Sequence, residues 1–257
     1  MFYERQPKDL TEKDLKKAIE HALKEFPREA CGVFTRSCGY IACKNVAEKP
    51  ELDFVMQEYK QIAANEGDVI AIFHSHPDGT NHPSKADMKV QISTDLPWGI
   101  AVLSDKGALT DLFFWGSDNI PALIGRKYRS GSMDCFSIIR DAYKLWYNID
   151  LPEFPRDEEF WKHGENKYME GFAEAGFEVI PVEKLMPGDV ILGNVLGKGI
   201  VNHGAVVLNH RELIHHLSGQ LSRRDSLSKW FRHLNICLRH KAFEANGGPP
   251  KPPEIGN

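Results

Sequence analysis

The chain has 257 residues, 42% hydrophobic and 26% charged, with a formal net charge of -4 and a pI near 6.3. This balance excludes a disordered or repetitive chain, and the lack of a basic excess argues against nucleic acid as a partner, because no face is rich enough in cations to neutralise phosphates. No apolar run approaches the ~18–20 residues that cross a bilayer and the charged start MFYERQPKDLTEKDLKKAIEH lacks a secretory core, so membrane insertion is not expected and the chain reads as mature protein.

In chain order, apolar residues at Leu15, Ala18, Ile19, Ala22, Leu23 and Phe26 form a helical stripe that Thr11 can cap and Pro27 ends. Short strands are expected at residues 31–35 and 40–46, a helical segment at 57–65, a strand at 69–73 and a helix starting at Ser84. Further strands at 99–103 and 109–115 complete an α/β-type domain of about 115 residues, an ordinary domain size. The stretch GSDNIPALIGRKYRSGS, punctuated by Gly, Ser and Pro, holds the boundary. A periodic helix then begins near Cys135, a helix-like segment covers 161–172, and strands follow at 190–192, 203–208 and 213–217 before a closing segment to His240. Helices before strands suit an α+β domain. The expected division is residues 1–118, residues 119–244 and a disordered Pro/Gly-rich tail at 245–257. The five cysteines, Cys31, Cys38, Cys43, Cys135 and Cys237, are odd in number and irregularly spaced, which reads as reduced thiols.

The sharpest chemical signal is His74-Ser75-His76 with Asp87 downstream. Two imidazoles and a carboxylate form a zinc ligand set with a fourth position open, and alternation along a strand puts both histidines on one side. A metal hydrolase also needs a carboxylate to carry a proton to the leaving amine, and Glu29 in FPREACGVF is the candidate. For His-x-His alone a chance surface pair is the plainer reading, but the wider spacing argues against it. Glu29, His74, Ser75, His76, Ser84 and Asp87, with seven residues between His76 and Ser84 and two more before Asp87, resemble the motif of the JAMM (MPN+) metalloproteases. That resemblance covers roughly residues 8–115. It implies one zinc per chain on His74, His76 and Asp87, Glu29 as general acid/base, Ser84 as oxyanion stabiliser, and peptide or isopeptide substrates.

In the second half, Ser132-Met133-Asp134-Cys135 leads into a helix, which places Cys135 at a helix N-terminus where the macrodipole favours a thiolate nucleophile. A thiolate needs an imidazole partner and a group that orients it. His203 heads one later strand and His215 lies on the next. The bland alternative is a buried core thiol beside ordinary strand histidines. Asp-Cys at a helix start, Gly188-Asp189 opening a strand, and a His-led strand with a polar residue twelve positions later resemble the NlpC-type cell-wall cysteine peptidases, which are papain-like. The resemblance covers roughly residues 126–243. It implies Cys135 as nucleophile, His203 as base and His215 as orienting group, with His216 facing the other side of its strand. Two features depart from the family pattern: Phe136-Ser137 stands where Ser-Gly is common, and about 40 residues are inserted before the Gly-Asp strand.

A JAMM (MPN-like) α/β domain followed by an α+β papain-like NlpC-type domain resembles the tail-assembly proteins of lambda-like bacteriophages. That resemblance implies peptidoglycan peptides as substrate and other phage tail-tip proteins as partners. It implies a protein made in the host cytoplasm, placed at the virion tail tip and acting in the bacterial periplasm. Two other readings stand beside it: a cellular JAMM-type processing peptidase acting on protein or sulfur-carrier adducts, and a non-catalytic tail assembly factor.

Overall fold

The computed structural model describes residues 3–63, 68–195 and 199–254, and of residues 244–246 the backbone alone. The chain forms two compact units that divide between Pro121 and Ala122, with Ser84–Met88 grouped with the second. No helix among the described residues is long and apolar enough to cross a membrane.

The first unit runs α1 (Glu12–Glu25), β1 (Cys31–Thr35), β2 (Gly39–Cys43), α2 (Tyr59–Ala63), β3 (Val69–His76), α3 (Lys85–Thr94, of which the turn up to Met88 is grouped with the second unit), β4 (Trp98–Leu103) and β5 (Leu109–Trp115). Thr11 caps α1, its hydroxyl accepting from Asp14 N. The strands order β2-β1-β3-β4-β5, antiparallel except for β3 with β4. A parallel neighbour needs a crossover, and α3 supplies it. Alternation along β3 sends Ala71 and Phe73 toward α1, where they join Leu15, Ala18, Ala22, Phe34, Ala101 and Phe114. It sends Ile72 to the opposite face, with Val33, Trp98, Ile100, Val102, Phe113 and Trp115. Truncating a buried aromatic such as Phe114 typically costs about 3–5 kcal/mol, so these two cores hold the sheet that carries the first site. The segment expected as helical at 57–65 is a helix only at Tyr59–Ala63, and residues 64 and 65 lie outside the described residues.

The second unit contains α4 (Cys135–Tyr147), α5 (Lys167–Gly171), β6 (Phe177–Ile180), β7 (Val190–Gly193), β8 (His203–Val207), β9 (Glu212–His215), β10 (Arg223–Ser226), α6 (Leu227–Trp230) and β11 (Leu234–His240). Its six strands order β10-β9-β8-β7-β11-β6, all antiparallel. One face packs α4 through Ile138, Ile139, Ala142 and Tyr143 onto Val190, Leu192, Val206, Ile214 and Leu238. The other face carries Ala205, Val207 and Leu213 against Leu227 and Trp230. Gly204 sits under α4, where a Cβ would come 2.7 Å from Ile139 Cδ1, so glycine permits this close approach. The Pro/Gly-rich end, expected as a disordered tail, is laid on this unit through residue 254. Pro249 and Pro252 are buried, and Tyr147 Oη donates to Pro250 O at 3.0 Å. A proline run loses little entropy on docking and presents apolar rings, which a composition rule does not anticipate. Residues 255–257 lie outside the described residues.

Candidate active sites

The first site is built on β3, the loop after it and the start of α3. Cys31 pairs with His74 across β1 and β3. Beyond that pair, Ala30 N donates to Ser75 Oγ at 2.8 Å and Ser75 N to Ala30 O at 3.0 Å. Continuing the register brings Glu29 level with His76. Paired residues share a face, so Glu29, Cys31, His74 and His76 all point to the side away from α1. His74, His76 and Glu29 are buried. Phe54 stacks on the His74 ring at 4.7 Å. Burial pushes the Cys31 thiol up to about 12, which suits a small core residue.

His76 Nδ1 lies 2.9 Å from Thr80 O. A carbonyl only accepts, so Nδ1 carries the proton and Nε2 the lone pair, an outer hydrogen bond of the kind that orients metal-ligating imidazoles. His76 Nε2 is 3.1 Å from His74 Nε2, and one oxygen of Asp87 completes a group whose ligand atoms all lie within 4.8 Å of one another. Two imidazole nitrogens and a carboxylate converging on one point can hold a divalent metal. Ser84 has a structural duty as well. Its backbone N and hydroxyl donate to Asp87 Oδ2 at 2.8 and 2.7 Å, and Asp87 N donates back to Ser84 Oγ at 3.1 Å. This reciprocal pair caps α3 and fixes Asp87 while engaging only one of its oxygens.

In the second site Cys135 is the first residue of α4. Asp134 is its cap, accepting from Ser137 N at 2.9 Å, and Ser137 Oγ accepts in return from Asp134 N at 3.3 Å. The Ser137 that departs from the Ser-Gly pattern therefore closes the capping box. The Cys135 Sγ is 2.9 Å from Tyr168 Oη. Cys135, Asn202, His203, His216, Tyr128, Tyr168 and Trp161 line one cleft. His203 is the first residue of β8. Ala205 pairs with His215, so His203 and His215 are diagonal neighbours on one face, with ring centroids 5.4 Å apart. Trp230 stacks on His203 at 4.9 Å and meets His215 edge-on at 4.5 Å. His203 Nε2 and both nitrogens of His215 are buried without a hydrogen-bond partner among the described residues. Each such orphan costs about 1–3 kcal/mol, a strain that clusters where function rather than packing sets the residues.

The charge states differ from the sequence expectation of a preformed thiolate. Burial first, and then the Asp134 carboxylate, push the Cys135 thiol up to about 11, against the pull of Tyr168, the Gly204 N–H and Arg156. Burial and the neighbouring histidines hold His203 well below the usual imidazole value. Both directions favour a neutral thiol and a neutral imidazole, the form of His203 that accepts a proton.

Residues 11–115 match the family model for prokaryotic homologues of the JAB domain, and residues 113–239 that of the NlpC/P60 family. The tail tip assembly protein K of Escherichia phage lambda is 34% identical over 185 residues, covering 72% of this chain and 88% of that protein. Its counterpart from Escherichia phage N15 is 31% identical over 246 residues, covering 92% and 98%. The chain belongs to the tail tip assembly protein K family. An NlpC/P60 family protein from Bacillus cereus, of solved structure, aligns with 86% of the chain and 66% of its own at 14% identity, with a TM-score of 0.34.

In this protein K relative the insert between α4 and β7 contributes to the cysteine site, a contribution that no sequence motif marks. It brings Tyr168 to the sulfur and Arg156 to Asp134, with Nε and Nη2 at 3.0 and 2.7 Å from Oδ2. His216 is a second omission. It does face away from His215, and that turns it toward Tyr128, 5.2 Å away, and into the Cys135 cleft. Asp225, 3.9 Å from His215 Nε2, is a third. Asp189 of the Gly-Asp signature is structural, clamped by Arg239 at 2.9 and 2.6 Å. The Arg156 pair leads to a stability prediction. Arg156→Met strands the buried Asp134 carboxylate, and breaking one side of a buried pair costs about 3–5 kcal/mol. Urea unfolding is expected to show that loss, and an unchanged midpoint would remove the Asp134–Arg156 pair from the account.

Proposed function

We propose that the NlpC/P60 domain hydrolyses peptide bonds of bacterial peptidoglycan, with Cys135 as nucleophile, His203 as base and His215 as orienting group. The observation that carries this reading is the cleft holding Cys135 at a helix start beside His203, backed by His215. Cys135 Sγ attacks the scissile carbonyl carbon as His203 takes the thiol proton and passes it to the departing amine. Water then attacks the thioester, giving its proton to His203 and releasing the acid and the thiol. The relatives named for tail tip assembly support a place at the tail tip with other tail proteins as partners, and assembly in the host cytoplasm followed by action on the periplasmic wall belongs to the same proposal.

For the first domain we propose a zinc-dependent (iso)peptidase site. His74, His76 and Asp87 would hold the ion, which supplies Lewis acidity when bound. Glu29 accepts a proton and delivers it to the leaving amine, and Ser84 turns its hydroxyl, which donates to Asp87 Oδ2 in the resting site, to the developing oxyanion. A second reading, a first domain kept for assembly rather than turnover, is favoured by the Ser84–Asp87 capping box, which gives two motif residues a purely structural use. Glu29→Gln tests the turnover reading: it should keep metal and lose hydrolysis of a JAMM-type substrate, full retained hydrolysis would remove Glu29 from the chemistry, and a wild type that hydrolyses no such substrate would favour assembly.

The test of the leading reading is mass spectrometry of murein incubated with the intact protein. New amino and carboxyl ends inside the stem or cross-link peptides are expected. Murein returned with every peptide intact would reject it.

A further inference from the structure

The insert places one more functional group against the sulfur than the Cys-His-His set requires. Tyr168 lies on α5, buried, with its ring 6.0 Å from Phe136 and 6.1 Å from Phe160. Its hydroxyl is 2.9 Å from Cys135 Sγ. Those aromatic contacts fix the ring, so the hydroxyl is held at the sulfur rather than sampling it. We infer that Tyr168 is a positioning residue for the nucleophile: its O–H donates to the Cys135 sulfur and stabilises the thiolate as His203 removes the proton. This inference rests on Cys135 being the nucleophile proposed above.

The alternative polarity, S–H donating to the phenol oxygen, would stabilise the thiol instead. Burial, with Cys135 and Asp134 nearby, raises the Tyr168 phenol well above its ordinary value, so the phenol keeps its proton wherever the thiol titrates. Toward a thiolate it can only donate. The other groups facing the sulfur come from every neighbouring element. Asp134 on the cap opposes the thiolate, Arg156 from the insert offsets it, and the Gly204 N–H of β8 adds a second donor. Tyr128 lies before α4, and His203 and His216 close the cleft. Of these, Tyr168 is the side-chain donor that hydrogen-bonds to the sulfur.

The measurement is the pH dependence of iodoacetamide alkylation in the intact chain, read by mass spectrometry on the peptide containing Cys135, since Cys31, Cys38, Cys43 and Cys237 are also free. A hydrogen bond to a charged group is strong enough to move a midpoint by about one pH unit. Tyr168→Phe is expected to raise the Cys135 midpoint by about that much and to slow alkylation about tenfold below both midpoints. An unmoved or lowered midpoint in a folded variant overturns the inference. Should Tyr168→Phe not fold, 3,5-difluorotyrosine at 168, of nearly the same shape and with a more acidic hydroxyl, must lower the midpoint, and no change there overturns it equally. Failure of the cysteine-nucleophile reading has a different signature: Cys135→Ala would retain murein cleavage, whatever the alkylation midpoints show.

Discussion

Cys135→Ala is expected to reduce murein-peptide cleavage by about four orders of magnitude or more, to the background of the assay. Removing the atom that forms the thioester leaves only substrate binding and oxyanion stabilisation, and nucleophile deletions in comparable hydrolases lose rates on that scale. His203→Ala should fall as far, because nucleophile and base act as one unit and their losses do not add. His215→Ala should fall less. It lies behind His203, diagonal to it on the sheet and in edge contact with Trp230, and can orient the base without exchanging a proton with substrate. The pH profile carries a signed consequence. His203 must be neutral to accept the thiol proton, and burial holds its pKa well below the ordinary imidazole value. Activity lost with falling pH should therefore disappear only below about pH 6.5, the ordinary imidazole value. An acid limb above that value would contradict the burial argument. Full activity in Cys135→Ala would remove the cysteine site altogether.

His76→Ala is expected to drop the zinc content from one ion per chain to near none. Three protein ligands hold a site of this type, and losing even an outer-shell partner of a ligand costs about 10–100-fold in affinity, so losing a ligand should cost more. The structure sharpens this expectation. His76 is the imidazole whose tautomer is fixed by Thr80 O, with its Nε2 3.1 Å from His74 Nε2. Elemental analysis of protein purified without chelator reads the result directly. Equal zinc in wild type and His76→Ala, or none in wild type, would overturn the ligand assignment. Asp87→Ala is a less clean probe, since it also removes the cap of α3.

The first site was legible because its geometry is local. His74, His76, Ser84 and Asp87 lie on one strand, one loop and one helix start, so spacing carries their arrangement. Glu29 required the further step of β1 pairing beside β3. The second site was legible only in part. Alternation placed His203 and His215 on one face, but the same rule that set His216 aside could not show that its face holds the Cys135 cleft. Arg156 and Tyr168 reach the start of α4 from 22 and 33 residues downstream, through an insert that has no motif and closes only on folding. The thiolate expected from the helix dipole was outweighed by burial and by the Asp134 cap, quantities that a linear sequence does not contain. Strand β10, Arg223–Ser226, has no apolar alternation, because as an edge strand it needs none. The buried stripe of α1 at Leu15, Ala18 and Ala22, by contrast, followed from the period of the apolar residues.

The central claim is a division of labour between two chemically independent sites, and one crossed inhibition experiment tests it most directly. Murein cleavage by the intact protein is measured after chelation with EDTA, after alkylation of Cys135, and after both. Cleavage should survive EDTA at an unchanged rate and vanish on alkylation. Cleavage that is lost with EDTA and survives alkylation of Cys135 would assign the wall chemistry to the first domain and contradict the account.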